Sequence, residues 1–230
     1  MQIVISIITA IFTFIAGLFT TLPHIVLPWA QPGTVIEDRA EVLAIYRDIA
    51  AKNTDTELVQ SLRITEYPNI PGANSIAVQT AIDLAFGLAD GVQRGLPGNP
   101  ASIVPNDLKS ARAEYFNNGR TVVITLVPNE QTDGFDGQAN AGPVGRTVGV
   151  MGSQAQGVLN ALSGFGLPLN LLSSVLRLHY QNPSVVVRAD ARTGAVISAD
   201  YNYTFVMELP LPLIPNLRIG ASYSVSKGLI

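Results

Sequence analysis

Apolar and polar residues alternate on both sides of a short polar turn near the carboxyl end of the chain. Residues 185–190 read VVVRAD before the turn. After it, alternate positions form an apolar face, namely Ile197, Ala199, Tyr201, Tyr203, Phe205 and Met207. Because successive side chains of a strand point to opposite faces, this pattern predicts a hairpin in a half-buried antiparallel sheet. Arg192, Thr193 and Gly194 suit a type I turn closed by a glycine, and Asp190 can accept bonds from its amides.

The same alternation predicts further strands upstream. Residues 108–128 form a second hairpin, because Asn118 and Gly119 supply the positive φ angles that a tight turn needs. Shorter alternating stretches lie in residues 57–68, 173–181 and 217–225. We therefore expect about seven strands in one sheet.

Three helices are predicted around this sheet. Residues 35–53 begin with a capping box of Thr34 and Glu37. This helix has an apolar stripe of Val42, Leu43, Tyr46 and Ile49. Residues 75–91 carry a stripe of Ile76, Thr80, Leu84 and Leu88, and a shorter helix spans 153–163. The expected fold class is α+β, with a single curved, partly closed antiparallel sheet that helices cover on its concave side.

The first thirty residues differ from the rest of the chain. Residues 3–22 contain no charged side chain, and a helix of that length is about 30 Å long, enough to cross a bilayer core. This favours a membrane-anchoring helix in residues 1–30, before a domain of residues 31–230. Its membrane contacts would be Ile3, Ile7, Ile11, Phe14, Leu18 and Trp29.

Two alternatives remain open for this segment. One is a cleaved signal peptide, but such peptides begin with a basic region, and this segment has none. The helix could instead pack against its own domain. Small residues on one face, Thr13, Gly17 and Thr21, would also permit pairing with a second copy.

Composition narrows the classes of function. Hydrophobic residues make up 47% of the 230 residues, charged residues 13%, and the formal net charge is −3. The thinly spread basic residues disfavour nucleic acid as a partner. The chain has no cysteine, which excludes disulfides and thiolate zinc sites.

Catalytic signatures are absent from the sequence. The two histidines, His24 and His179, are far apart, and no nucleophile elbow, zincin or phosphate-binding loop motif occurs. Asp133 and Asp136 could offer oxygens to calcium, but their spacing is not that of an EF-hand loop. We therefore expect a non-catalytic protein without metal or cofactor; an enzyme that uses two carboxylates remains an alternative.

The aromatic residues are the candidates for ligand contact. Tyr180, Tyr201, Tyr203 and Phe205 would lie on the apolar face of the sheet. They either fill a core beneath the helices or line a cup that holds an apolar or lipid-like molecule. A filled core would suit a structural or interaction module of a cell surface, whereas a cup would suit a lipid-binding protein.

The order of four segments resembles a family of secreted or surface-attached domains from Gram-positive bacteria, especially Clostridia. The segments are AEVLAIYRDIAAKN, PNDLKSARAEYFNNGRTVVITLVPNE, GPVGRTVGVMGSQAQGVLNAL and YQNPSVVVRADARTGAVISADYNYTFVMEL. The matching motifs are residues 108–111, which lead into the first hairpin, and the second hairpin with Asp190, Thr193, Gly194, Val196, Ser198 and Tyr201.

The resemblance carries expectations about fold and location. The two-hairpin pattern is similar to the half-barrel of LolA- and LppX-like lipoproteins, in which a curved antiparallel sheet covered by helices holds lipid. It implies an extracytoplasmic protein, secreted or membrane-anchored, without an assigned activity or catalytic residues. This chain lacks the lipobox cysteine of those lipoproteins, so the apolar helix would have to provide the anchor.

Overall fold

The computed structural model describes residues 33–68, 74–87, 91–134, 142–149, 160, 163–164, 176–211 and 214–227. Within these ranges, residues 86–87, 134, 209–211 and 214–217 are described by their backbone alone. The elements are β1 (Val35–Ile36), α1 (Arg39–Lys52), β2 (Glu57–Glu66), α2 (Ser75–Gly87), β3 (Gly91–Arg94), β4 (Leu108–Phe116), β5 (Thr121–Pro128), β6 (Gln131–Gly134), α3 (Pro143–Thr147), β7 (Arg177–Asp190), β8 (Val196–Leu211) and β9 (Ile214–Lys227).

The nine described strands form one antiparallel sheet, which confirms the α+β class. Their order is β1-β4-β5-β7-β8-β9-β2-β3, and β6 pairs with β7 beyond the end of β5. The predicted partial closure is wrong, because the order runs from β1 at one edge to β3 at the other. These edge strands have two and four residues, so each pairs with only part of the longer strand beside it. The sequence pattern missed β1, β3 and β6 because each is too short to show an alternation.

Both predicted hairpins are confirmed. Asn117, Asn118 and Gly119 between β4 and β5 have φ angles of 53°, 58° and 76°. In the turn between β7 and β8, the Asp190 carboxylate accepts bonds from the amides of Arg192 at 3.0 Å and Thr193 at 2.7 Å. Hydrogen bonds from the Thr193 backbone and side chain lower the pKa of Asp190. The sequence therefore encodes these turns locally.

One residue of the predicted apolar face of β8 is misplaced. Pairing shifts between Arg188 opposite Ser198 and Ala189 opposite Val196, so Ile197 lies in a bulge. As a result Ile197 is 37% exposed and Val196 takes the buried position. The remaining predicted residues of this face, from Ala199 to Met207, are buried as expected.

Helix α1 starts later than its sequence pattern predicts. The capping box of Thr34 and Glu37 is wrong, because Val35–Ile36 pairs with Ala113 and Glu114 as strand β1. Asp38 is the N-cap instead, and its carboxylate accepts the amide of Glu41 at 2.9 Å. The predicted stripe of Val42, Leu43, Tyr46 and Ile49 is buried, which confirms the face that packs on the sheet.

Asn53 joins the end of α1 to the hairpin of β7 and β8. Its buried amide donates to the carbonyls of Ile49 at 2.7 Å and Gly194 at 2.8 Å. The side-chain oxygen accepts the amide of Val196 at 3.0 Å. These bonds satisfy buried backbone groups of both elements and fix the position of α1 over β8.

Helix α2 forms as predicted but buries the opposite face. Ile76 and Leu84 are each 72% exposed, whereas Val78 and Ile82 are buried in the core. Apolar residues occur on both sides of this helix, so spacing alone does not identify the buried face. Leu88 lies outside the described residues.

Matched substitutions on α2 separate the two faces. We expect Ile82→Val to lower the free energy of unfolding by about 1 kcal/mol, because it deletes a buried methyl group. Ile76→Val makes the same chemical change on the exposed face and should leave stability within about 0.5 kcal/mol. Chemical denaturation of both variants tests this, and equal effects would mean that the assigned buried face is wrong.

Several predictions lie outside the described residues. They include the apolar helix of residues 1–30 and nearly all of the helix predicted at 153–163. Among the helices that are described, none combines the length and the apolar character needed to span a bilayer.

Candidate ligand-binding face

The strand register brings three of the four predicted ligand residues together. Tyr180 on β7 lies opposite Phe205 on β8, and Tyr203 on β8 lies opposite Tyr223 on β9. We call Tyr180, Tyr203, Phe205 and Tyr223 the aromatic patch. All four side chains are buried on the face of the sheet that contributes to the core.

The four rings of the aromatic patch form a chain of contacts. The centroids of Tyr180 and Tyr203 are 5.4 Å apart in an edge-to-face arrangement. Tyr180 and Phe205 are also 5.4 Å apart and tilted, whereas Tyr203 and Tyr223 stack at 4.7 Å. Such geometries are favourable for aromatic pairs, so the patch is a specific arrangement of rings.

Aliphatic side chains frame the aromatic patch. Leu178, Met207 and Ile219 form a row across three strands at one end. At the sides, Leu62 of β2 lies opposite Tyr223, and Ile64 lies opposite Ala221. At the edge of β7, Gln131 of β6 lies opposite Tyr180 and Asp133 lies opposite Leu178, so two polar side chains interrupt the aliphatic frame there.

A bulge in β7 lies beside Tyr203. Pairing between β7 and β8 skips from Gln181 opposite Thr204 to Ser184 opposite Asn202. Asn182 adopts a positive φ of 51°, and Pro183 follows it. Proline cannot donate to a sheet ladder and is tolerated at such bulges, so this part of the chain encodes the irregularity itself.

Tyr201, the fourth predicted residue, packs against helix α1. Its hydroxyl lies 3.1 Å from the hydroxyl of Tyr46, and both side chains are fully buried. Burial raises the pKa of both phenols, which keeps them neutral. Tyr201 therefore lies at the boundary between the aromatic patch and the packing under α1.

Two hydroxyls of the aromatic patch are buried without a hydrogen-bond partner among the described residues. These are the hydroxyls of Tyr180 and Tyr203. Burial raises the pKa of Tyr203 well above the ordinary value and is also the main cause of the raised pKa of Tyr180. Burial raises the pKa of Tyr223 to about 12. The phenols of the patch are thus neutral groups that can donate a proton in a hydrogen bond.

Of the polar candidates from the sequence, Asp133 lies at the margin of this face, opposite Leu178, whereas His179 does not share it. His179 is on the opposite face of β7, where Nδ1 lies 3.1 Å from the Thr132 hydroxyl and Nε2 lies 3.3 Å from the Glu208 carboxylate. Asp133 accepts a hydrogen bond from Gln131, while His24, Asp136 and Asn140 lie outside the described residues. Within the described ranges, no three His, Asp or Glu side chains are grouped to hold a metal.

Two open clefts occur elsewhere on the described surface. One of about 560 Å³ is lined by residues of α1 and the loop after β3, including Arg47 and Arg94. Arg47 donates to the carbonyls of Pro100 and Ile103, so it holds that loop in place. The other, of about 430 Å³, lies over β4 and includes Arg39 and Arg112.

Sequence reasoning missed two residues of this region. Tyr223 was expected on a strand but not in the ligand set, and Tyr46 was expected in a helix stripe but not against Tyr201. The alternation in residues 217–225 placed Tyr223 on the apolar face. Only the pairing of β9 with β8 places it against Tyr203.

The chain matches no known family model, no curated protein and no solved structure. The resemblance to surface domains of Gram-positive bacteria and to LolA- and LppX-like half-barrels therefore stays a prediction.

Proposed function

We propose that this chain is a non-catalytic, extracytoplasmic protein that is tethered to a membrane. It binds an apolar or lipid-like molecule on the face of its sheet that carries the aromatic patch. The observation that supports the proposal is the aromatic patch. Four rings from three neighbouring strands contact one another within an aliphatic frame.

The composition of the patch suits this role. Sites for small molecules are lined mainly by apolar and aromatic side chains, with a few polar groups that orient the ligand. The patch offers aromatic rings and a few such polar groups, since two of its hydroxyls are buried without a described partner. Tyr201 would border the ligand, with its own hydroxyl occupied by Tyr46.

The proposed tether is the uncharged segment of residues 3–22. A helix of this length can cross a bilayer, and its small-residue face would allow pairing between copies. A domain held at a membrane surface has direct access to lipid. The tether and the ligand are therefore consistent with each other.

Mass spectrometry of solvent extracts tests the proposal. The full chain is isolated in amphipol, without detergent that could replace a ligand, and its apolar contents are extracted and quantified against protein. We expect a defined lipid-like species in a fixed ratio to the wild-type chain. Phe205→Leu should reduce that ratio, because it removes a ring from the patch while retaining an apolar side chain.

Phe116→Leu is the matched control, since Phe116 lies at the end of β4 and is 40% exposed. The variant should retain the species at the wild-type ratio. A wild-type chain without any defined species, or an equal ratio in the Phe205→Leu variant, would contradict ligand binding. That result would favour the alternative of a structural or interaction module that displays the polar face of the sheet.

A further inference from the structure

We infer that the ligand is an uncharged amphiphile whose carbonyl oxygen lies between Tyr180 and Tyr203. The inference is drawn from the two hydroxyls of the aromatic patch that have no described partner, and it rests on the proposed function. The class includes long-chain esters, amides and ketones. The carbonyl would accept one hydrogen bond from each tyrosine.

The hydroxyls of Tyr180 and Tyr203 are buried polar groups without a described partner. Nearly all buried polar atoms in folded proteins are hydrogen-bonded, so two unsatisfied hydroxyls on adjacent strands are unusual. Tyr46 and Tyr201, equally buried and nearby, satisfy each other at 3.1 Å. The unsatisfied pair is thus confined to the aromatic patch, where the two rings lie 5.4 Å apart.

Two hydroxyl donors can share a single acceptor atom of the ligand. A carbonyl oxygen carries two lone pairs and can accept from two donors at once. Both phenols are available as donors because their raised pKa values keep them protonated. Since the two rings lie 5.4 Å apart, we expect one ligand oxygen to accept from both hydroxyls while the remainder of the ligand contacts the rings and the aliphatic frame.

The charge near the patch favours a neutral ligand, because Asp133 of β6 lies opposite Leu178, close to Tyr180. The carboxylate of Asp133 contributes to the raised pKa of Tyr180, so a negative charge already acts on this end of the patch. Arg177 and His179 alternate with Leu178 and Tyr180 along β7 and therefore point to the other face of the sheet. A fatty-acid anion or a phosphate would be repelled, and desolvation would add to that cost. A neutral carbonyl avoids both penalties.

Competition between three ligands of equal chain length tests the inference. Nile red is bound to the full chain in amphipol at neutral pH. Its displacement is then measured with hexadecane, methyl hexadecanoate and hexadecanoate. We expect the methyl ester to bind most tightly. Tyr180→Phe and Tyr203→Phe should each lower the affinity for the ester by about threefold to tenfold, the value of one net hydrogen bond, with hexadecane unchanged.

Tyr115→Phe provides the control, because Tyr115 is a buried tyrosine of β4 outside the patch. The measured quantity is the ratio of the affinity for the ester to the affinity for the alkane. Partitioning of the ligands into amphipol is the same for every variant, so it cancels when these ratios are compared. Thermal unfolding of the ligand-free variants shows whether they fold. Tyr180→Phe and Tyr203→Phe should not lower Tm, whereas Tyr46→Phe should lower it by leaving the Tyr201 hydroxyl unpaired.

Each contrary result has a distinct meaning. Failure of all three ligands to displace the dye would overturn the proposed function and the inference with it. Equal affinity for alkane and ester, unaffected by the tyrosine substitutions, would leave apolar binding intact and overturn the role of the hydroxyls. Tighter binding of hexadecanoate than of its ester would overturn the requirement for a neutral ligand.

Discussion

Raising the pH is expected to unfold this protein in one transition between pH 10 and about 12, together with the ionisation of its buried tyrosines. The folded structure raises the pKa values of Tyr46, Tyr180, Tyr201, Tyr203 and Tyr223 above the ordinary value of 10.0, chiefly by burial. A raised pKa means that the protonated phenol is favoured in the folded state. The contribution of each buried phenol to the stability of the fold is present in full below pH 10 and is lost as the pH rises through the folded pKa.

The number of these phenols makes the effect large. One pH unit above its ordinary pKa, each phenol that ionises only in the unfolded chain lowers the free energy of unfolding by about 1.4 kcal/mol. Five of them lower it by about 7 kcal/mol, which is comparable with the whole stability of a typical domain. Unfolding should therefore begin before any of them ionises in the folded state.

Tyrosinate absorbance and near-ultraviolet circular dichroism, followed together as the pH rises, measure this transition. Tyr67 is 37% exposed, so it can ionise without unfolding, although the hydrogen bond that it donates to Asp83 raises its pKa. Tyr67→Phe should remove that separate ionisation and leave the unfolding midpoint unchanged. Ionisation of most tyrosines while the circular dichroism stays native would show that the patch is open to solvent.

Replacing Asp107 by alanine is expected to lower the free energy of unfolding by about 3 kcal/mol, the cost of breaking a buried ion pair. The Asp107 side chain is 5% exposed, and both of its oxygens accept from the Arg146 guanidinium, one of them from Nε at 2.8 Å. It also accepts the amide of Val104 at 2.8 Å. The pair connects α3 to the start of β4, so its loss affects the packing around both.

The ion pair also predicts a dependence on acid. Burial raises the pKa of Asp107, but hydrogen bonds from Arg146 and Val104 and the charge of Arg146 outweigh that effect, so the pKa lies below its ordinary value. The stabilisation is therefore present above the unfolded pKa and is lost as the pH falls through the folded one. Wild type and Asp107→Ala should converge in stability under strongly acidic conditions.

Denaturant titrations of Asp107→Ala and Arg112→Ala measure this difference. Arg112 pairs with Glu37 and Glu114 on the surface, and its side chain is 47% exposed. Loss of such exposed pairs costs less than about 1 kcal/mol. Equal effects of the two substitutions would mean that the Asp107 pair is not buried in solution.

The candidate site was only partly predictable. The alternation along β8 correctly grouped Tyr203 and Phe205, because the two-residue period of a strand is a local property. The contact of Tyr203 with Tyr223 depends on the register between strands, and the pair of Tyr46 with Tyr201 depends on how α1 packs on the sheet. Neither relation is encoded within one segment of sequence.

Local sequence patterns account for the hairpin turns at Asn118 and Asp190, the buried stripe of α1 and the antiparallel α+β class. Each depends on residues that are near one another along the chain. The tertiary structure alone decided the buried face of α2, the open edges of the sheet and the position of Ile197 in a bulge. It also decided which tyrosine hydroxyls have a partner, because hydrogen bonds between distant residues depend on strand register and helix packing.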